Sequence, residues 1–143
     1  MTTVESPDHP RTATGLLDPA ARLRWPILVP AFLLIAIYTM LSYIGFADQD
    51  AFYDSMDIPV PSNEFLLYSW AGKNTAVLLG LTIAVFSRLR ILLLTAIAIL
   101  FTMQMGDVNA GAQSGVNVFV TWIAFSLTVV QLGLVLLDAR RRG

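Results

Sequence analysis

Cysteine is absent from the 143 residues, and histidine occurs once, as His9. The first absence excludes disulfides, iron–sulfur clusters, thiolate metal sites and dithiol exchange. The second leaves the apolar part of the chain without an imidazole, and no Met or Tyr constellation there has a haem or metal spacing, so no resident cofactor or metal is expected. Charge is scarce too. Asp, Glu, Lys and Arg make up 13% of the chain, against about a quarter in an ordinary soluble domain. No basic cluster suits a nucleic acid, and lysine occurs once, as Lys73. What replaces charge is apolar surface: hydrophobic residues reach 56% and the mean hydropathy is +0.68. Water is the wrong solvent for such a chain, and a bilayer is the partner its composition asks for.

Four apolar stretches divide the sequence. Trp25 to Ala47 carries no charge, with Pro26 and Pro30 in the first turns, where a missing backbone donor is tolerated. Phe65 to Ser87 carries only Lys73, and Ser62 and Asn63 before it offer N-cap oxygens. Ile91 to Gly106 is uncharged up to Asp107, and a last stretch, helical from near Val116 beyond the Gly and Ser of Gly111 to Gly115, runs to Leu137 before Asp138. The reading is an all-α, membrane-embedded four-helix bundle with up-down-up-down connectivity. Its spans are 25–47, 65–87, 91–110 and 116–137 within a domain at 25–138, flanked by a polar tail at 1–24 and a basic tail at 139–143. The first apolar run is too long for a cleavable signal and reads as a retained span. The longest connection holds Asp48, Asp50, Asp54 and Asp57 and closes on Ile58-Pro59-Val60-Pro61, which favours an extended path along the membrane surface.

All eight arginines fall in the two tails or the turn between the second and third spans, whereas Asp48, Asp50, Asp54, Asp57, Glu64 and Asp107 lie on the opposite connections. Positive charge collects on the cytoplasmic side, so both termini are expected there, in a multi-pass protein of the cell's inner (plasma) membrane.

Lys73 needs an explanation, because an ammonium inside a span costs several kcal/mol unless it is paired, faces a wet cavity or snorkels. It stands roughly 21 Å above Ser87, and Asp107 stands roughly 25 Å above Arg90 on the antiparallel neighbour, so the two share a depth and are expected to pair. The third span's 16 uncharged residues cover roughly 24 Å of a core of about 30 Å, which draws Asp107 toward the boundary. The alternative is a lysine snorkelling alone to the headgroups. Trp70 and Asn74 share the Lys73 face, Gln104 lies one turn from Asp107, and Tyr38, Ser42, Asn117 and Thr121 sit at a similar depth. Tyr38, Trp70, Lys73, Asn74, Gln104 and Asp107 are therefore candidate ligand-binding residues lining an outer-leaflet pocket. Interhelical hydrogen bonding without a ligand accounts for them as well.

Gly72, Ala76, Gly80 and Ala84 recur every fourth residue and read as a helix-packing face, and Asn117, Thr121, Ala124, Thr128 and Gln131 form a polar or small seam on the last span. No catalytic residue is assigned: Ser69 and Thr75 near Lys73 do not read as a nucleophile aimed at a base.

Phe52-Tyr53, Met56-Asp57-Ile58-Pro59-Val60-Pro61 and Phe65-Leu66-Leu67-Tyr68-Ser69-Trp70-Ala71-Gly72-Lys73-Asn74, followed by Gly80, Arg88 and Asp107, form a pattern that resembles the small bacterial four-helix membrane proteins of the DoxX-like group. The resemblance spans residues 25 to 138 and implies a four-helix bundle. One branch of that group is linked with thiosulfate oxidation coupled to quinone, but this chain supplies no redox ligand. The function expected is non-enzymatic: binding of a small amphiphile, lipid or quinone, or support of a larger membrane complex through a protein partner or a second copy. The alternative is a quinone-interacting subunit of a membrane oxidoreductase whose partner supplies the electrons.

Overall fold

A computed structural model describes residues 21–55, 59, 64–115 and 118–142. A 3₁₀ turn at Trp25–Leu28 leads into α1 (Val29–Ala47), followed by α2 (Gln49–Ser55), α3 (Glu64–Ser87), α4 (Arg90–Ser114) and α5 (Phe119–Arg142). No strand occurs among the described residues. Three helices, Trp25–Ala47, Arg90–Ser114 and Phe119–Arg141, are long and apolar enough to cross a bilayer, which makes the chain a membrane protein. α3 has the length, with 24 residues, but does not join them. Lys73, Asn74 and the Gly, Ser and Thr residues around them dilute its apolar character.

α1 packs most extensively on α3 and also against α5, while α4 contacts both α3 and α5. The shared core contains Leu28, Ala31, Leu34, Leu81, Val85, Leu93, Ile97, Leu100 and Val135. Facing away from it are Leu79, Ile83 and Phe86 on α3, Ile99 on α4 and Phe119 on α5, all more than half exposed. A water-soluble monomer rarely shows so much continuous apolar surface, and hydrocarbon is its natural cover.

Local chemistry explains where elements differ from the sequence reading. The connection after α1 contains a helix, because Asp48 Oδ1 accepts the Ala51 N–H at 3.1 Å and caps α2, while Phe52 and Tyr53 are buried. α4 passes residue 110 and ends at Ser114. Gly115, at φ 73, supplies the left-handed cap and donates its N–H to the Gly111 carbonyl at 2.9 Å, so Gly111 is helical. α5 continues past 137 to Arg142, and the positive charges of Arg140 and Arg141 in its last turn complement the negative end of the helix dipole. Ser62, Asn63, Asn117 and most of the Ile58–Pro61 run lie outside the described residues, as do residues 1–20.

The first helix does not start cleanly. Gln131 of α5, fully buried, inserts its amide where an α-helical bond between Ile27 and Ala31 would run: Oε1 accepts the Ala31 N–H and Nε2 donates to the Ile27 carbonyl, each at 2.9 Å. A side chain inserted into the ladder in this way is a recognised cause of helix irregularity, and here it coincides with the change from 3₁₀ to α geometry.

At the same end, called the arginine end below, residues 21–23 pair with the α3–α4 turn. Leu23 donates to the Arg88 carbonyl at 2.9 Å, and Arg90 donates to the Ala21 carbonyl at 3.0 Å. Arg88 has φ 58, an unfavourable value for a side-chain-bearing residue. Its guanidinium compensates by donating twice to the Leu23 carbonyl, from Nε at 2.9 Å and Nη2 at 2.6 Å. It also lies 4.9 Å from the centre of the Trp25 ring.

Candidate functional site

α3 and α4 run antiparallel from the turn at Arg88 and Leu89, so residues at similar distances from that turn meet. Lys73 Nζ donates to Asp107 Oδ1 at 2.8 Å, with each side chain about one-third exposed (33% and 35%). The ammonium also lies 5.8 Å from the Trp70 ring centroid, and Trp70 in turn packs on Phe52 of α2 with ring centres 4.1 Å apart. The lysine is thus paired and does not snorkel alone. Ser69, one turn before Lys73, has the i,i+4 spacing that lets two residues meet, but the ammonium is engaged by Asp107.

Beside the ion pair lies a second, drier layer. Tyr38, Ser42, Asn74 and Gln104 are all more than nine-tenths buried. Gln104 Nε2 donates to the Tyr38 hydroxyl at 3.5 Å. Gln104 Oε1, Asn74 Nδ2 and Ser42 Oγ find no partner among the described residues. α1 and α3 cross closely here, at Gly45 and Ala71. A methyl added at Gly45 would stand 3.0 Å from the Ala71 Cβ, so glycine permits this close approach of the two helices. Orphan polar atoms in a dry interior are destabilising and mark a place where polar contact is available. Thr121 is half-buried on α5.

The six sequence candidates therefore fall into a partly exposed group (Trp70, Lys73, Asp107) and a buried group (Tyr38, Asn74, Gln104). Of the six, only Lys73 borders a groove of about 290 Å³ that descends between α3 and α4 toward the arginine end, walled by Ala76, Val77, Gly80, Ala96, Ile99 and Met103. Two members of the small-residue face, Ala76 and Gly80, line it; Gly72, Ala76 and Gly80 are exposed and Ala84 alone is buried. Methyls added at Gly72 or Gly80 would meet nothing within 4 Å.

Two structural pairings escaped the sequence reading. One is the Gln131 bridge. The other is a buried ion pair in which Arg90 Nη2 lies 3.3 Å from Asp138 Oδ2, the side chains 2% and 8% exposed. Asp138 is the one acid among the arginines that close the chain, which is the signal that points to it.

Pairing across α3 and α4 predicts non-additivity. Lys73→Met and Asp107→Asn each strand a charge in a poorly hydrated setting, and the double variant removes both charges. In thermal unfolding in detergent, the double variant is expected to lose less than the sum of the singles, with a coupling of about 1–3 kcal/mol. Additive losses would show that the 2.8 Å contact contributes nothing.

No protein-family model matches this chain, no curated protein is significantly similar to it, and no solved structure matches it.

Proposed function

We propose that this chain is a non-enzymatic four-helix membrane bundle of DoxX-like type, its arginine end in the cytoplasm, that binds an amphiphile in the groove between α3 and α4. The observation that carries this reading is the combination of an apolar groove of about 290 Å³ with one polar terminus, Lys73. That volume is at the small end for ligand sites and suits a head group with the start of an acyl or isoprenoid chain. An ammonium has three donors, and Asp107 takes one while cancelling the charge. The remaining donors favour a neutral, carbonyl-bearing head, such as a quinone or an ester, over a free anion. No redox group comes from this chain's own residues, so a quinone here would be a ligand, with any electrons supplied by a partner.

One observation favours a second reading. Open space over Gly72 and Gly80 also suits the close approach of a helix from a partner or a second copy.

The test is mass spectrometry of lipids and quinones that co-purify in mild detergent, comparing the native chain with Gly80→Leu, which fills the groove and leaves Lys73 intact. A near-stoichiometric neutral amphiphile that falls at least fivefold in the variant, at unchanged helicity, supports the ligand. Equal content in both proteins removes it, and loss of a co-purifying polypeptide or of a dimer in the variant transfers the groove to the scaffold reading.

A further inference from the structure

A second cleft, of about 320 Å³, lies at the arginine end between the start of α1 and the end of α5. We infer that it holds the phosphodiester head of an anionic glycerophospholipid, gripped by Arg24 and Arg141, with an acyl chain leaving along Ile27, Leu134 and Leu137. Charge is the first ground. Asp138 also borders the cleft, but its carboxylate is bound to the buried Arg90 guanidinium at 3.3 Å. Arg24 and Arg141 therefore contribute two positive charges that this acid does not cancel. Both are exposed, and among the described residues neither side chain forms an ion pair. Guanidinium groups match phosphate oxygens through forked N–H donors, and paired arginines beside apolar helix surface form the basic pockets that take anionic headgroups.

Depth is the second ground. Trp25 follows Arg24 directly, is 47% exposed and stacks against Arg88. A half-exposed tryptophan at the end of a span marks the headgroup level. The apolar walls begin one turn further in, so a ligand reaching both parts needs an anionic head and a hydrocarbon tail. A soluble phosphate would use only the rim.

The site is separate from the Lys73 groove, and its test leaves that groove untouched. The purified protein, stripped of lipid in detergent, is titrated with phosphatidylglycerol, phosphatidylcholine or inorganic phosphate, and bound lipid is counted by native mass spectrometry alongside thermal unfolding. Phosphatidylglycerol is expected to bind and raise Tm. Phosphatidylcholine should do so at least tenfold more weakly, and inorganic phosphate should leave Tm unchanged. Arg24→Gln with Arg141→Gln should lower the phosphatidylglycerol affinity at least tenfold, whereas Arg140→Gln, an arginine outside the cleft, should not. Leu134→Trp, which fills the apolar part and keeps both arginines, should weaken binding on its own. Equal binding of the two lipids, equal protection by inorganic phosphate, or unchanged affinity in the double glutamine variant would each overturn the assignment.

Discussion

Replacing Asp138 with leucine is expected to destabilise the protein more than any other single change at the arginine end, by about 3–5 kcal/mol, because it leaves a guanidinium buried without its counter-charge. Arg90 is 2% exposed, its backbone is fixed to Ala21 at 3.0 Å, and it cannot reach solvent without dismantling the turn. The reverse change, Arg90→Leu, is expected to be milder. The stranded carboxylate borders the cleft that contains Arg24 and Arg141, and either can turn to neutralise it. The double variant should recover much of the loss, since two apolar side chains replace a pair whose desolvation offset most of its attraction. Thermal unfolding of all three in detergent, followed by tryptophan fluorescence, reads the order directly. A milder Asp138→Leu than Arg90→Leu would show that the pair is not the anchor of this end.

Gln131→Leu is expected to lose about 2–4 kcal/mol, since the buried Ala31 N–H and the part-buried Ile27 carbonyl both lose their partner. The backbone can recover part of this only by re-forming the bond between those two groups, which requires the turn at Leu28, with ψ −3, to tighten into α geometry. Thr128 supplies the contrast. It is equally buried, but its hydroxyl donates to the Ala124 carbonyl of its own helix at 2.8 Å, so Thr128→Val removes a bond between no two helices and should lose less than about 1 kcal/mol. Similar losses for the two variants in the same unfolding assay would show that the amide does not tie α5 to α1.

These residues mark the limit of what sequence conveys here. The apolar stretches, the segregation of arginines from acids and the shared depth of Lys73 and Asp107 were all legible, because each depends on counting along a helix of fixed rise. The ion pair follows from such counting once two helices are joined by a short turn. Gln131 was legible only as part of a polar seam: the break it fills arises where a 3₁₀ turn meets α1, 100 positions away, and no periodicity reports that. Arg90 was counted among the charges of the arginine end, whereas packing draws it inside. The helix in the acidic connection was hidden by prolines further along, while Asp48, which starts it, reads in isolation as one acid among several. The groove beside Lys73 was not visible either, because a run of small residues has the same sequence whether a helix, a lipid or nothing lies against it.

Gln131 also makes the start of α1 depend on a residue synthesised 100 positions later. α1 leaves the ribosome before α5, with the Ala31 amide and the Ile27 carbonyl unsatisfied, and the side chain that satisfies both at 2.9 Å belongs to α5. Ala21 and Leu23 likewise wait for Arg90 and Arg88. The start of α1 is therefore completed only after α5 has been made. Until α5 arrives, the start of α1 holds open polar groups at the membrane boundary, where water can serve them.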